Sequence, residues 1–227
     1  MLRFCRFSLL LFMAPLALRA QELLRGEVEI DLEPVYAVFL EAPYPLDTET
    51  AGRRALDESA MFFSAMIYGW SFNYDIGEKA RGIAEEFELT PLGAIPAGDP
   101  GLRVTDAQVR NMRFYLWTDY RLNEAQKRRF LAWKSGGART AQAVGYGPLG
   151  GPVDAADWLG IKRKALEDAA RAAVRAMLRG SERNRPKEAR GFISLAAFPH
   201  YFIDGGQWAA SARFRVELTG IVPFSAY

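Results

Sequence analysis

The sequence predicts an α+β fold: a largely antiparallel sheet of about six to eight strands with two long helices packed on one face. Three observations predict it. Apolar and polar residues alternate with period two at several separated places, and two long stretches between them repeat with the period of a helix. Loop-rich stretches dense in Gly and Pro, at 91–101 and 145–154, separate these segments.

Ahead of the fold, residues 1–20 read as a cleavable secretory signal. Arg3 and Arg6 form a positive n-region, Phe7 to Leu18 an apolar stretch, and Leu18-Arg19-Ala20 a cleavage site before Gln21. The apolar stretch falls well short of the roughly 20 residues needed to span a bilayer. Cys5 precedes that stretch, so it is not placed to accept a lipid anchor. Residues 21–227 are therefore expected to be an exported single soluble domain, periplasmic or extracellular, with no transmembrane segment. That mature chain is free of cysteine, so its stability must come from a packed core, for which a 50% hydrophobic chain has ample material.

The first strand is expected where Val28, Ile30 and Leu32 alternate with Glu27, Glu29, Asp31 and Glu33, giving one buried and one acidic face. A weaker strand candidate covers Val35 to Leu40. A helix is predicted from Thr48 to Ile67, with Asp47 or Thr48 as its cap and Ala55, Ser59, Phe62 and Met66 on one stripe. Tyr68, Trp70, Phe72, Tyr74 and Ile76 then alternate with polar residues, and Ile83 to Leu89 can return as the antiparallel partner. Another strand is marked by Met112, Phe114 and Leu116. Asn123 with Gln126 has capping-box spacing for a helix ending near Gly136. Arg139 to Val144 is a further strand candidate, and a second long helix is expected from Asp157 to Arg179. Phe192 to Phe198 is a weaker strand. Ala210, Ala212, Phe214, Val216 and Leu218 form the last clear alternation.

The two long helices share a second feature. Ala55-Leu-Asp-Glu-Ser-Ala60 resembles Ala165-Leu-Glu-Asp-Ala-Ala170, and a hairpin region follows each, which suggests a degenerate helix-plus-hairpin duplication. A ligand pocket would then be expected where the copies meet, and Trp70, Tyr74, His200 and Tyr201 are the candidate ligand-binding residues.

Charge is distributed unevenly: residues 21–101 carry five basic and sixteen acidic side chains, residues 102–227 twenty-one and eleven. The two halves can neutralise each other within one fold, or the second can present a basic surface to an anionic partner. Lys164, Arg171, Arg175 and Arg179 share a helix face that, with Tyr115, Trp117 and Trp133, could meet an anionic polymer or lipid surface. Nucleic acid is an improbable partner for an exported chain.

Few catalytic motifs survive inspection. A single histidine, His200, excludes multi-histidine metal sites, and no cofactor is expected. Gly145-Tyr-Gly147-Pro-Leu-Gly150 fits a dinucleotide spacing, but Pro148 and Pro152 delay the helix that must open inside the glycines. Asp204 could orient His200, although Asp204-Gly205-Gly206 reads more simply as a hairpin turn. Glu27, Glu29, Asp31 and Glu33 could attract Ca²⁺, or form a solvated edge paired with Arg213 and Arg215. Asp75, Glu78 and Asp99 are the loop carboxylates that could serve hydrolysis. The expected function is a non-enzymatic envelope binding or assembly module. The alternative is a carboxylate-dependent hydrolase of envelope glycan or peptide.

Overall fold

A computed structural model describes residues 23–34, 44–78, 81–148, 157–181 and 186–223. The expected signal at 1–20 and the strand candidate at 35–40 lie outside them. The fold is α+β, with three helices and every strand pairing antiparallel among the described residues.

Instead of one sheet there are two. β1 (Leu23–Asp31), β5 (Arg113–Arg121) and β4 (Leu102–Arg110) form a three-stranded sheet in the order β1-β5-β4. The second sheet runs β3 (Glu86–Pro91), β2 (Trp70–Asp75), β7 (Pro186–Leu195), β9 (Gln207–Pro223), β6 (Arg139–Tyr146), and β8 (His200–Asp204) also pairs with β9. The split corrects the single-sheet expectation. Its cause is the partner of β1: Glu27 and Glu29 lie opposite Trp117 and Tyr115, not Arg213 and Arg215.

Helix α1 (Thr48–Ile67) starts where the Asp47 side chain accepts the Thr50 N–H at 2.7 Å, satisfying an otherwise orphaned donor. Its apolar stripe covers β1 and β5 and reaches β7. Helix α2 (Glu124–Ser135) carries the full capping box between Asn123 and Gln126. Helix α3 (Trp158–Ser181) packs on β6 and β9. It comes very close at Gly145, where an added Cβ would stand 1.8 Å from the Ala169 nitrogen, so only glycine fits there.

The long helices are thus not neighbours on one sheet face: α1 lies mainly under the three-stranded sheet and α3 on the other. Helix and hairpin do follow in the same order twice, α1 with β2–β3 and α3 with β8–β9, but β7 intervenes in the second. The packing does not support the duplication or a pocket at its junction. Phe198, at the break between β7 and β8, joins the layers by meeting Phe62 and Phe63 edge-on at 5.0 and 4.8 Å. Phe62 and Phe63 of the α1 stripes and Phe72, Tyr74, Phe214 and Val216 of the alternating strands all belong to the buried core, as their periodicities predict, and Trp70 packs against it half-buried.

Candidate functional site

Two places concentrate polar and aromatic side chains. The first is the outer face of the three-stranded sheet. Alternation sends Leu24, Val28, Ile30, Phe114, Leu116 and Tyr120 inward, so their chain neighbours point to solvent. Outward stand Arg25, Arg103, Arg110, Arg113 and Arg121 against Glu27, Glu29, Asp31, Asp106 and Asp119. The face is charge-balanced.

At its centre the Tyr115 and Trp117 rings lie nearly parallel, with centroids 6.1 Å apart and 23° between planes. Neighbours fix both rings. The Trp117 indole N–H donates to Glu27 Oε2 at 3.1 Å, and the Arg110 guanidinium sits 5.1 Å from the Tyr115 ring centre. Arg113 donates to Glu29 at 2.5 Å, and that carboxylate holds the guanidinium pKa above its ordinary value. Gln108 donates to Asp106 at 2.9 Å. A bulge between Val104 and Asp106 interrupts the β4–β5 register beside Trp117. There Arg25, Thr105, Asp106, Trp117 and Asp119 line an open groove of about 600 Å³.

The second place is enclosed. Glu58 of α1 and Lys162 of α3, 1% and 5% exposed, meet at 2.5 Å. The ammonium lies 4.9 Å from the Trp208 ring, 5.1 Å from Tyr201 and 5.8 Å from Trp158, a set of π-faces that favours a cation. Burial pushes the Glu58 carboxyl above the usual range, with Lys162 partly offsetting that rise. Burial likewise pushes the Tyr201 phenol up, and the Glu58 charge adds to it.

The four residues predicted to bind ligand do not converge. The Tyr74 hydroxyl contacts Glu85 and Arg175, whose guanidinium grips both Glu85 oxygens. Tyr201 donates to the Lys162 carbonyl at 3.0 Å. Their partners Arg175 and Lys162 stand 13 residues apart on α3, about 20 Å along the axis at the usual helical rise. Trp70 is half-buried opposite Pro91 and Ile193. His200 is exposed at a strand end, stacked on Phe202. Asp204 closes the hairpin with Gln207 across Gly205 and Gly206, whose φ values of 55° and 78° need glycine, and it accepts the Tyr146 hydroxyl.

The other sequence candidates serve local structure. Asp75 and Asp99 accept backbone N–H groups two residues on, and Glu78 pairs with Arg81. Glu27 and Glu29 are engaged by Trp117 and Arg113, and no group of three His, Cys, Asp or Glu among the described residues could hold a metal ion. The basic helix face is not assembled with its aromatics. Arg171 pairs with Asp168, Arg175 with Glu85, and Trp133 is buried, donating to the Ile67 carbonyl. Arg215 reaches the Leu195 and Ala196 carbonyls instead of β1. The pairs Glu29–Arg113, Glu58–Lys162 and Glu85–Arg175 each join the acidic half of the chain to the basic half, which accounts for part of the asymmetry.

The sequence reading missed Glu58 and Lys162, yet a signal exists. Glu58 continues the stripe Ala51, Ala55, Phe62, and Lys162 opens the stripe Leu166, Ala169, Ala173. A charge on each apolar stripe, of opposite sign, is the trace of a buried pair.

A family model matches residues 13–224, nearly the whole chain, and its description states no function. An uncharacterized protein of Treponema pallidum (strain Nichols) is 27% identical over 172 residues, covering 74% of this chain and 68% of that protein. No solved structure matches.

Proposed function

We propose, for a chain that belongs to the family matched over residues 13–224, the role of an exported envelope protein that works as a non-catalytic binding or assembly module. The outer face of the three-stranded sheet is its binding surface. The observation that carries this reading is the Tyr115–Trp117 pair, held in a fixed, half-buried pose on an open sheet face. Rigid aromatics contribute large contact area at low entropic cost, which is why they dominate binding hot spots.

The charged N-terminal stretch followed by an apolar run supports export. No helix among the described residues is long and apolar enough to cross a membrane. The reading over hydrolysis is favoured because the loop carboxylates Asp75, Glu78 and Asp99 are engaged in turns and an ion pair. The test is recovery of a tagged full-length chain from its native cells. We expect it in the envelope or exterior fraction with the N-terminal segment removed, co-purifying with an envelope component. Recovery in the cytoplasm with that segment intact rejects the proposal.

A further inference from the structure

We infer that the outer face of the three-stranded sheet is a saccharide-binding platform, with Trp117 as its floor and Tyr115 stacked behind it. This rests on the binding reading above and names the ligand class. An aromatic ring carries a negative face, and a pyranose presents a face of weakly positive C–H groups, so the two stack. Tyr115 and Trp117 stack on each other, 23° from parallel with centroids 6.1 Å apart, so the pair offers one sugar ring the side of the indole that lines the groove. The Trp117 N–H is already taken by Glu27, so the indole offers its ring rather than its donor.

Hydroxyl groups need donors and acceptors side by side. Beside Trp117 the groove is lined by the Arg25–Asp119 pair at 3.4 Å and by Asp106, whose oxygens accept the Ala107 N–H and the Gln108 amide, so donors and acceptors stand together, already oriented. Its volume of about 600 Å³ lies within the ordinary range for small-ligand sites.

Charge balance separates this ligand from its rivals. Five arginines face five carboxylates on these strands, so a polyanion or an anionic membrane would meet repulsion as often as attraction. A neutral, hydroxyl-rich chain meets neither.

Co-sedimentation of the full-length chain with insoluble chitin, and tryptophan-fluorescence titration with a neutral chito-oligosaccharide, test the assignment. The same measurements are made on Trp117→Ala and Trp117→Phe, and on vesicles of phosphatidylglycerol. We expect binding to both saccharides, a loss of at least tenfold in Trp117→Ala, retention in Trp117→Phe, a melting temperature lowered by no more than about 2–4 °C in Trp117→Ala, and no vesicle binding. Saccharide binding that ignores Trp117→Ala, or no saccharide binding at all, overturns the platform. If envelope co-purification then persists and depends on Trp117, the ligand class alone is wrong. If it is independent of Trp117, the binding face falls as well.

Discussion

Glu29–Arg113 and Glu58–Lys162 are each a carboxylate and a cation 2.5 Å apart, but the first lies on the outer sheet face with side chains 41% and 49% exposed. The second is enclosed between two helices at 2% and 7%. Water screens the exposed pair, which leaves it worth about 1 kcal/mol or less. The enclosed pair has lost its hydration and depends on its partner and on the surrounding aromatic faces. Contact geometry is therefore a poor guide to energetic weight here. Breaking the exposed pair costs the fold little, and breaking the enclosed one much more.

The comparison breaks most visibly at the enclosed pair. Glu58→Ala or Lys162→Ala should each destabilise the fold by about 3–5 kcal/mol in urea unfolding at neutral pH, because each leaves a buried charge unpaired. Glu58→Gln with Lys162→Met should restore most of that loss and could exceed the parent by about 1–4 kcal/mol, since the whole desolvation cost is then removed. A double variant as damaged as either single variant would show that the pair itself stabilises the fold.

An intermediate case sharpens the gradient. Arg175 grips Glu85 with side chains 37% and 26% exposed. Arg175→Ala should cost about 1–2 kcal/mol, the range for a partly solvated charge-assisted hydrogen bond. Arg113→Ala should cost about 1 kcal/mol or less, and added salt should shrink even that.

Titration gives the two carboxylates opposite signatures. Burial raises Glu58, so its charged form is penalised in the folded state. Stability is full below the ordinary glutamate range and falls as pH rises toward the folded value. Burial alone would also raise Glu85, but the Arg175 and Tyr74 hydrogen bonds outweigh it and leave Glu85 low. Its contribution is present above the ordinary range and disappears as pH falls through the folded value. Stability curves of the Glu58→Gln/Lys162→Met and Glu85→Gln variants, subtracted from the parent, should slope in opposite directions between acid and neutral pH.

Legibility in the sequence followed the same physics. α1, α2 and α3 could be read because periodic stripes and local capping groups lie within one segment. β4 could not. Leu102 and Val104 face inward, the bulge slips the phase, and Ala107 and Val109 continue it, so no simple alternation remains. Val104 and Val109 are also 49% and 53% exposed, which blurs the apolar signal further. The division into two sheets depends on which strand β1 meets, a long-range choice that local pattern does not encode. Sequence alone groups Tyr115 and Trp117 with a basic helix face, because only the β1–β5 register shows that they lie beside Glu27 and Glu29.

The proposed function implies a division of labour: the outer face would bind, and the enclosed pair belongs to the fold. Envelope co-purification and urea unfolding on Trp117→Ala and Lys162→Ala, measured in parallel, test it most directly. We expect Trp117→Ala to lose its partner at a cost of only about 1 kcal/mol of stability, and Lys162→Ala to lose about 3–5 kcal/mol while its folded fraction still binds. The reverse pattern, with Lys162→Ala folded but unable to bind and Trp117→Ala still binding, would contradict the account and move the functional site into the enclosure.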